Sequence, residues 1–382
     1  MKVLIVGDYP DKSGKVVGGV QAAASALAHE LAKRPNVEVG VLTCQPGLAG
    51  EAVVDHDGFS VHYVPSYAKG ALLTQHAANR RRLRRKIAGI GPDIIHAENT
   101  GFQALAALES GVPTVLTVHG IFLRELKYHF GSGPMDRLKL ALCTRLHCQC
   151  LARAKHVITI SDYTWSEVGH LSKAETYRID NPVDPSYFGV TWDPDARRIL
   201  YVGIIFPYKG VEYLLQAMAV ARHTQPDARL DLIGPVADES YYRGLLDYVE
   251  AHGLGESVRF LGPKDKAELP REYASSSMLV LPSLRENAPL VISEAMAVGC
   301  PVVATQVGGV PEMVRDSVTG FVVPLRDSEA LAEAMCRLLD DDALRRSMGE
   351  QGRKEALERF PPAAVAEKTL AVYRRVLDGS NP

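Results

Sequence analysis

Cysteine and tryptophan are scarce, six and two residues in a chain of 382, and no apolar run approaches the ~20 residues that a membrane-crossing helix requires. The first scarcity excludes the disulfide framework of small secreted domains. The second absence excludes a membrane-spanning protein. The amino terminus, "MKVLIVGDYP", is apolar for a few residues but has no small-residue cleavage site, so it is expected to be a buried first strand rather than a signal peptide, in a cytoplasmic protein. Cys143, Cys148 and Cys150 crowd with His147 into "CTRLHCQC". A zinc site is conceivable there, but the paired C-x2-C knuckles of structural sites are missing and the stretch has the pattern of a helix, so reduced thiols and no metal are expected. Asp55-His56-Asp57 has the D-x-D spacing of some metal-dependent enzymes, yet an Asp-Gly turn between apolar runs is better explained as a hairpin.

Charge of one sign is not in excess either, the formal balance being −2. It hides an asymmetry: 21 Lys+Arg stand against 17 Asp+Glu over residues 1–190, and 22 against 28 in the rest. The amino-terminal half is therefore the one suited to an acidic partner.

What is present is length and alternation. A chain of 382 residues, 46% of them hydrophobic, suits two domains of ~150–200 residues, and two domains imply a cleft. Apolar runs of strand length ("KVLIVG", "VEVGVLT", "DIIHAE", "PTVLTVHG", "HVITIS") alternate with amphipathic helical stretches, as in a doubly wound parallel sheet. The alternation restarts at "RRILYVG" (197–203) after "IDNPVDPSYFGVTWDPD", a proline-rich connection without periodicity. The boundary is placed near Asp184, giving an α/β chain of two Rossmann-like domains, 1–184 and 185–362. A last helix, about 363–382, is expected to cross back onto the first domain. Ligands of such sheets bind beyond the carboxyl ends of the strands, so the residues just after each strand are the candidates.

In "SLRENAPLVISEAMAVGCPVV" (283–303), Pro289 fits the first helical position and Gly299 the carboxyl end. The amides of Leu290 and Val291 would then be orphan donors at a positive helix end, a place for phosphate. Glu294, about one and a half turns in, tilts back toward that end, where a carboxylate can accept from a ribose diol. Glu286, in the preceding loop, would meet a sugar on the second phosphate. A Pro-started helix with two solvent-facing glutamates has the same pattern. The wider context favours a ligand: in "RILYVGIIFPYKGVEYLLQAM" Lys209 and Gly210 open another helix after a strand, and "SGKVVGGVQAAASALAHELAK" enters a helix at Gly18 and Gly19. Neither stretch matches the phosphate loop of nucleotide triphosphatases or the dinucleotide fingerprint.

Together these residues resemble the retaining glycosyltransferases of family 4, with the GT-B fold, two Rossmann-like doubly wound domains facing a central cleft. The resemblance covers nearly the whole chain. Its most specific element is the E-x7-E motif, Glu286 to Glu294 in "ENAPLVISE", followed by "GGVPEMV" and "TGFVV"; the Gly-Gly loop, "TVHG" and "VG…KG" support it. It implies that Glu286 contacts the transferred sugar and Glu294 the ribose. His119 lies near the donor sugar and is a possible general base, and Gly18 and Gly19 lie near the phosphate and sugar. Gly203 and Lys209, with Asn287, Ala288, Pro289, Leu290 and Val291, surround the diphosphate, and the loop at Gly262, Pro263 and Lys264 holds the base largely by backbone. The donor implied is a nucleotide-sugar, a UDP-sugar before others, with no further cofactor and no metal.

One position departs from the family. Many members carry arginine directly after the Val-Gly of this strand, where this chain has Ile204. Lys209, the Leu290 and Val291 amides and the helix dipole would then stabilise the leaving group, with Arg285 a candidate substitute. This keeps two alternatives open, a catalytically silent nucleotide-sugar-binding subunit and a GT-B nucleotide-sugar epimerase. "NRRRLRRKIAGI" (79–90) spaces Arg80 to Lys86 around Leu83, Ile87 and Ile90 as an amphipathic basic helix, which in family members docks on anionic membrane near lipid-linked acceptors. Nucleic acid is not expected, for want of interleaved aromatics. The acceptor is expected to be a glycan or a lipid-linked hydroxyl, and "GIFLRELKYHFGSGPM" (120–135) an acceptor-side loop.

Overall fold

The computed structural model describes residues 1–14, 16–56, 58–67, 70–121 and 133–379. The chain forms two compact units, Met1–Pro182 together with the stretch from Pro362 onward, and Val183–Pro361. The division falls just ahead of Asp184, in the proline-rich connection.

The first unit holds the strands β1 (Lys2–Val6), β2 (Glu38–Pro46), β3 (Ala52–His56), β4 (Phe59–Ser66), β5 (Ile94–Glu98), β6 (Thr114–Val118), β7 (His156–Thr159) and β8 (Glu175–Arg178). They pair in the order β3-β4-β2-β1-β5-β6-β7-β8, all parallel except β3 against β4. Successive side chains of a strand face opposite ways, so β1 sends Val3 and Ile5 into one apolar layer and Leu4 and Val6 into the other. The helix Pro362–Asp378 lies in the first of these layers, where Val365, Ala366, Leu370 and Tyr373 join Ala24, Leu27, Ala28 and Leu31 of the helix Gly18–Ala32. The last helix thus belongs to the amino-terminal unit's core.

Three local expectations meet their structures here. Strands β3 and β4 pair antiparallel with His56 opposite Phe59, so Asp55 and His56 end a hairpin strand; Asp57 lies outside the described residues. "CTRLHCQC" is part of the helix Pro134–Arg153, all six cysteines are free, and Cys150 Sγ donates to the Gly101 carbonyl at 3.4 Å. The apolar stripe of the basic helix Ala77–Ile90 is a core face: Leu83 and Ile87 are buried among Leu42, Val64 and Leu105. A membrane therefore has only the helix's charged face to meet. Of the expected acceptor-side loop at 120–135, residues 122–132 lie outside the described residues.

The second unit holds β9 (Asp195–Val202), β10 (Arg229–Ile233), β11 (Val258–Gly262), β12 (Ser276–Leu281), β13 (Val302–Thr305) and β14 (Gly320–Val323), all parallel, in the order β11-β10-β9-β12-β13-β14. This is the doubly wound order of mononucleotide-binding sheets, reversing direction between its first and fourth strands. Along β9, Ile199 and Tyr201 face one layer and Leu200 and Val202 the other. The reversal between β9 and β12 is where such sheets bind ligands, and both motif loops leave from it.

Candidate active site

The loop after β9 runs Gly203-Ile204 into a short 3-10 turn, Pro207–Lys209, and the loop after β12 runs from Pro282 to Pro289. They touch at Gly210, which has φ of 65° and whose added Cβ would stand 2.3 Å from the Pro282 carbonyl oxygen. Only glycine tolerates both that backbone and that approach. Leu284 N donates to the Tyr208 carbonyl at 2.9 Å, closing the junction. Across it the Lys209 ammonium meets Glu286 Oε1 at 2.6 Å, and Ser283 Oγ donates to the same oxygen at 2.7 Å. Thr305 at the end of β13 donates in turn to the Ser283 carbonyl. The two charges expected around the donor are therefore held together at the sheet's reversal point, with both side chains mostly buried.

Four residues after Glu286 starts the helix Leu290–Val298. Pro289 has φ −69° and ψ 120° and is the cap rather than the first helical residue expected. Its ψ is extended, as the residue flanking a helix start requires, and Leu290 takes the first position. Pro289 makes no side-chain hydrogen bond to this helix start. Gly299 closes the helix with φ 92°, its amide reaching the Ala295 and Met296 carbonyls.

Glu294 accepts a hydrogen bond from the Tyr273 hydroxyl at 2.9 Å. Burial pushes its carboxyl above the ordinary value, against the Tyr273 and Tyr187 hydroxyls and the Lys266 charge. Tyr187 and Tyr273 pack edge to face, ring centres 5.8 Å apart. Glu294 is thus a fixed acceptor, not a mobile surface carboxylate. At the end of β11, Gly262 gives its carbonyl to the Gly234 amide at 2.9 Å, and a Cβ on Gly262 would meet nothing within 4 Å. Pro263 beyond it is exposed, and the Lys264 ammonium is taken by Glu272. This loop presents backbone and open space. Gly203 is closed beneath by Tyr201, whose hydroxyl donates to the Ile204 carbonyl at 2.9 Å.

The remaining candidates belong to the first unit. Gly18 and Gly19 are exposed at the start of the helix Gly18–Ala32, and Val17 N reaches Gln21 Oε1 at 2.7 Å. His119 follows β6 and is buried, with Nε2 2.5 Å from Glu98 Oε2 at the end of the adjacent strand β5. Neither glycine nor His119 is among the groups that meet at the β9–β12 reversal.

Sequence inspection passed over the residues that hold the candidates in place: Ser283 for Glu286, Tyr273 for Glu294, Glu98 for His119. Glu98 had a usable signal, since it is the residue that ends "DIIHAE". Tyr273 had none, being 21 positions from its partner on a different helix.

The sequence profile described as "Glycosyl transferases group 1" matches residues 187–355, and that described as "Glycosyltransferase Family 4" matches residues 17–187. The D-inositol 3-phosphate glycosyltransferase of Corynebacterium glutamicum is 34% identical over 189 residues, 48% of this chain and 44% of that one. This chain therefore spans less than half the length of that relative. The alpha-D-kanosaminyltransferase of Streptomyces kanamyceticus is 28% identical over 335 residues, 82% of this chain and 84% of its own. Among solved structures, sucrose-phosphate synthase from Thermosynechococcus elongatus superposes with a TM-score of 0.76 at 25% identity, covering 99% of both chains. HepE of Anabaena, solved in complex with UDP-glucose, gives 0.72 at 21% identity, covering 98% of this chain and 99% of that one.

Proposed function

We propose, for a chain that belongs to the family 4 glycosyltransferases of GT-B fold, that it moves a hexose-type sugar from a nucleotide-sugar to a hydroxyl acceptor with retention at the anomeric carbon. The observation that carries the proposal is the meeting of Lys209 and Glu286 at 2.6 Å, four residues ahead of a helix whose cap makes no side-chain hydrogen bond. A diphosphate set there would take the Lys209 ammonium and the Leu290 and Val291 amides, and release Glu286 to the hydroxyls of the sugar. Glu294, held by Tyr273, takes the ribose.

In this reaction the bond from the anomeric carbon to the diphosphate oxygen breaks and a bond to the acceptor oxygen forms on the same face. The acceptor's proton passes to the departing phosphate oxygen. The protein's share is then positioning and electrostatic stabilisation of the leaving group. His119 is assigned to the donor sugar. A UDP-linked donor is the first candidate, because the structural neighbour HepE carries UDP-glucose and the Gly262 loop offers a base mainly backbone. The acceptor is a glycan or lipid-linked hydroxyl. Charged-face contact with anionic membrane would use Arg81 and Arg85, which are exposed on the helix Ala77–Ile90; among the described residues no helix is long and apolar enough to cross a membrane.

Ile204 supports a second proposal, a nucleotide-sugar-binding subunit with little turnover, or an epimerase. A thermal-shift panel of UDP-, GDP- and ADP-sugars, followed by turnover with and without acceptor, separates the three. Stabilisation by a nucleotide-sugar is expected by mass action. No shift with any nucleotide-sugar or free nucleotide sinks all of them, donor binding without turnover supports the subunit, and donor conversion without acceptor supports the epimerase.

A further inference from the structure

Five polar side chains are buried together in the first unit, at the carboxyl ends of β5 and β6 and under the last helix: His96, Glu98, Thr117, His119 and Tyr373. Glu98 and His119 are 3% and 5% exposed as side chains, with Glu98 Oε2 and His119 Nε2 2.5 Å apart. A carboxylate only accepts, so this short contact requires the proton to be on Nε2. Burial alone would push the Glu98 carboxyl up. The imidazoles of His96 and His119 on either side and the hydrogen bond from His119 outweigh it, leaving Glu98 below its ordinary value.

His96 is fully engaged elsewhere. Burial lowers its pKa, so it is neutral, and burial also keeps the Tyr373 hydroxyl protonated. That hydroxyl donates to His96 Nδ1 at 2.5 Å, and Nε2–H faces Thr117 Oγ1 at 2.5 Å, with Glu98 Oε1 farther off at 3.7 Å. Glu98 therefore spends its short hydrogen bond on His119. His119 Nδ1, by contrast, is buried without a partner among the described residues, and His119 lines a cavity of about 20 Å³ bordered by Asp180 and Asn181. That volume holds about one water or one hydroxyl.

We infer that Glu98 is a positioning residue that holds His119 as the Nε2–H tautomer, so that the atom His119 offers to a substrate hydroxyl is Nδ1, as an acceptor. His96, locked by Tyr373 of the last helix and by Thr117, stands 3.7 Å from the other oxygen of Glu98. The consequence for catalysis rests on the proposed assignment of His119 to the donor sugar. The tautomer does not.

The test is imidazole nitrogen NMR on the full-length protein, with His119 assigned by its loss in His119→Gln. The expected spectrum has Nε2 protonated and Nδ1 unprotonated at neutral pH. In Glu98→Gln the amide can accept from Nε2–H or donate to a bare Nε2, so both nitrogens move toward averaged shifts. Turnover falls about tenfold or more in kcat, with KM for the donor little changed. A wild-type spectrum with the proton on Nδ1 overturns the inference even if the variant does not fold, and so does an unaltered tautomer in a folded Glu98→Gln. An Nε2–H tautomer together with wild-type turnover by His119→Ala leaves the inference standing and removes His119 from the reaction.

Discussion

Lys209 and Glu286 lie 77 positions apart, follow different strands, and meet at 2.6 Å. In the free protein each neutralises the other, so neither charge is left without a partner while the donor is away. Lys209→Met therefore removes the cation expected to meet the diphosphate and leaves a mostly buried carboxylate without that countercharge, though still hydrogen-bonded by Ser283. Turnover should drop by about 10²–10³-fold, read as kcat/KM with a nucleotide-sugar. Activity within twofold of wild type would remove Lys209 from the site.

Ile204 stands where a second cation is usual in the family. The backbone there is held by Tyr201, whose hydroxyl donates to the Ile204 carbonyl, so the side chain can change without breaking that bond. Ile204→Arg is expected to tighten nucleoside diphosphate binding by about tenfold in calorimetry. Weaker binding would mean that the position does not face the phosphates.

Glu294 costs the free protein stability, because its folded pKa is raised by burial above the ordinary value of 4.5. Below 4.5 both states are protonated and nothing is lost; the cost builds as pH rises from 4.5 to the raised folded pKa and stays constant above it. Glu294→Gln keeps an acceptor for Tyr273 and removes the charge. It should raise Tm at neutral pH, lose that advantage toward pH 4.5, and weaken donor binding about tenfold or more. A variant less stable at neutral pH than at acid pH, relative to wild type, contradicts the assignment.

His147 is fully buried and its Nδ1 stands 2.6 Å from Thr100 Oγ1. Burial lowers its pKa from 6.5 to about 4. A depressed histidine favours the folded state above the unfolded pKa, and the benefit is lost as pH falls from 6.5 toward 4, on the order of 3 kcal/mol in all. Unfolding free energy from denaturant melts should fall as pH falls across that window in the wild type, and His147→Gln should reduce that slope by up to one proton. An equal slope in both proteins would place the acid sensitivity elsewhere.

Arg81 and Arg85 are exposed on the helix Ala77–Ile90, whereas Arg80 pairs with Glu109 and Lys86 with Glu51. Replacing both Arg81 and Arg85 by glutamate should abolish sedimentation with phosphatidylglycerol vesicles, because each arginine near such a surface contributes about 1 kcal/mol, and should leave Tm unchanged. Vesicle binding that survives both changes would rule out this face.

Much of the second unit was visible in the chain itself. Strand alternation in "RRILYVG", a proline and a glycine bracketing "LVISEAMAV", and lysine and glutamate in post-strand loops are local signals, and local rules of capping and pairing place them correctly to within a residue. Pro289 is the measure of that margin, a cap where a first turn was expected. The basic helix shows where local pattern misleads. Leu83 and Ile87 are spaced for any apolar partner, and periodicity alone does not distinguish a membrane from the protein's own core.

The sequence by itself determined two α/β units and the glycosyltransferase family, and it singled out Lys209, Glu286, Glu294 and His119 as candidates, because each is announced by neighbours within a turn or a loop. Tertiary structure alone decided their partners: Lys209 with Glu286, Tyr273 on Glu294, Glu98 on His119, and Tyr373 of the last helix on His96. Those pairs join residues 21 to 277 positions apart. Strand order and helix packing, which no local pattern encodes, bring such groups within hydrogen-bond reach, and burial then forces each charge and each lone pair to find the partner it has.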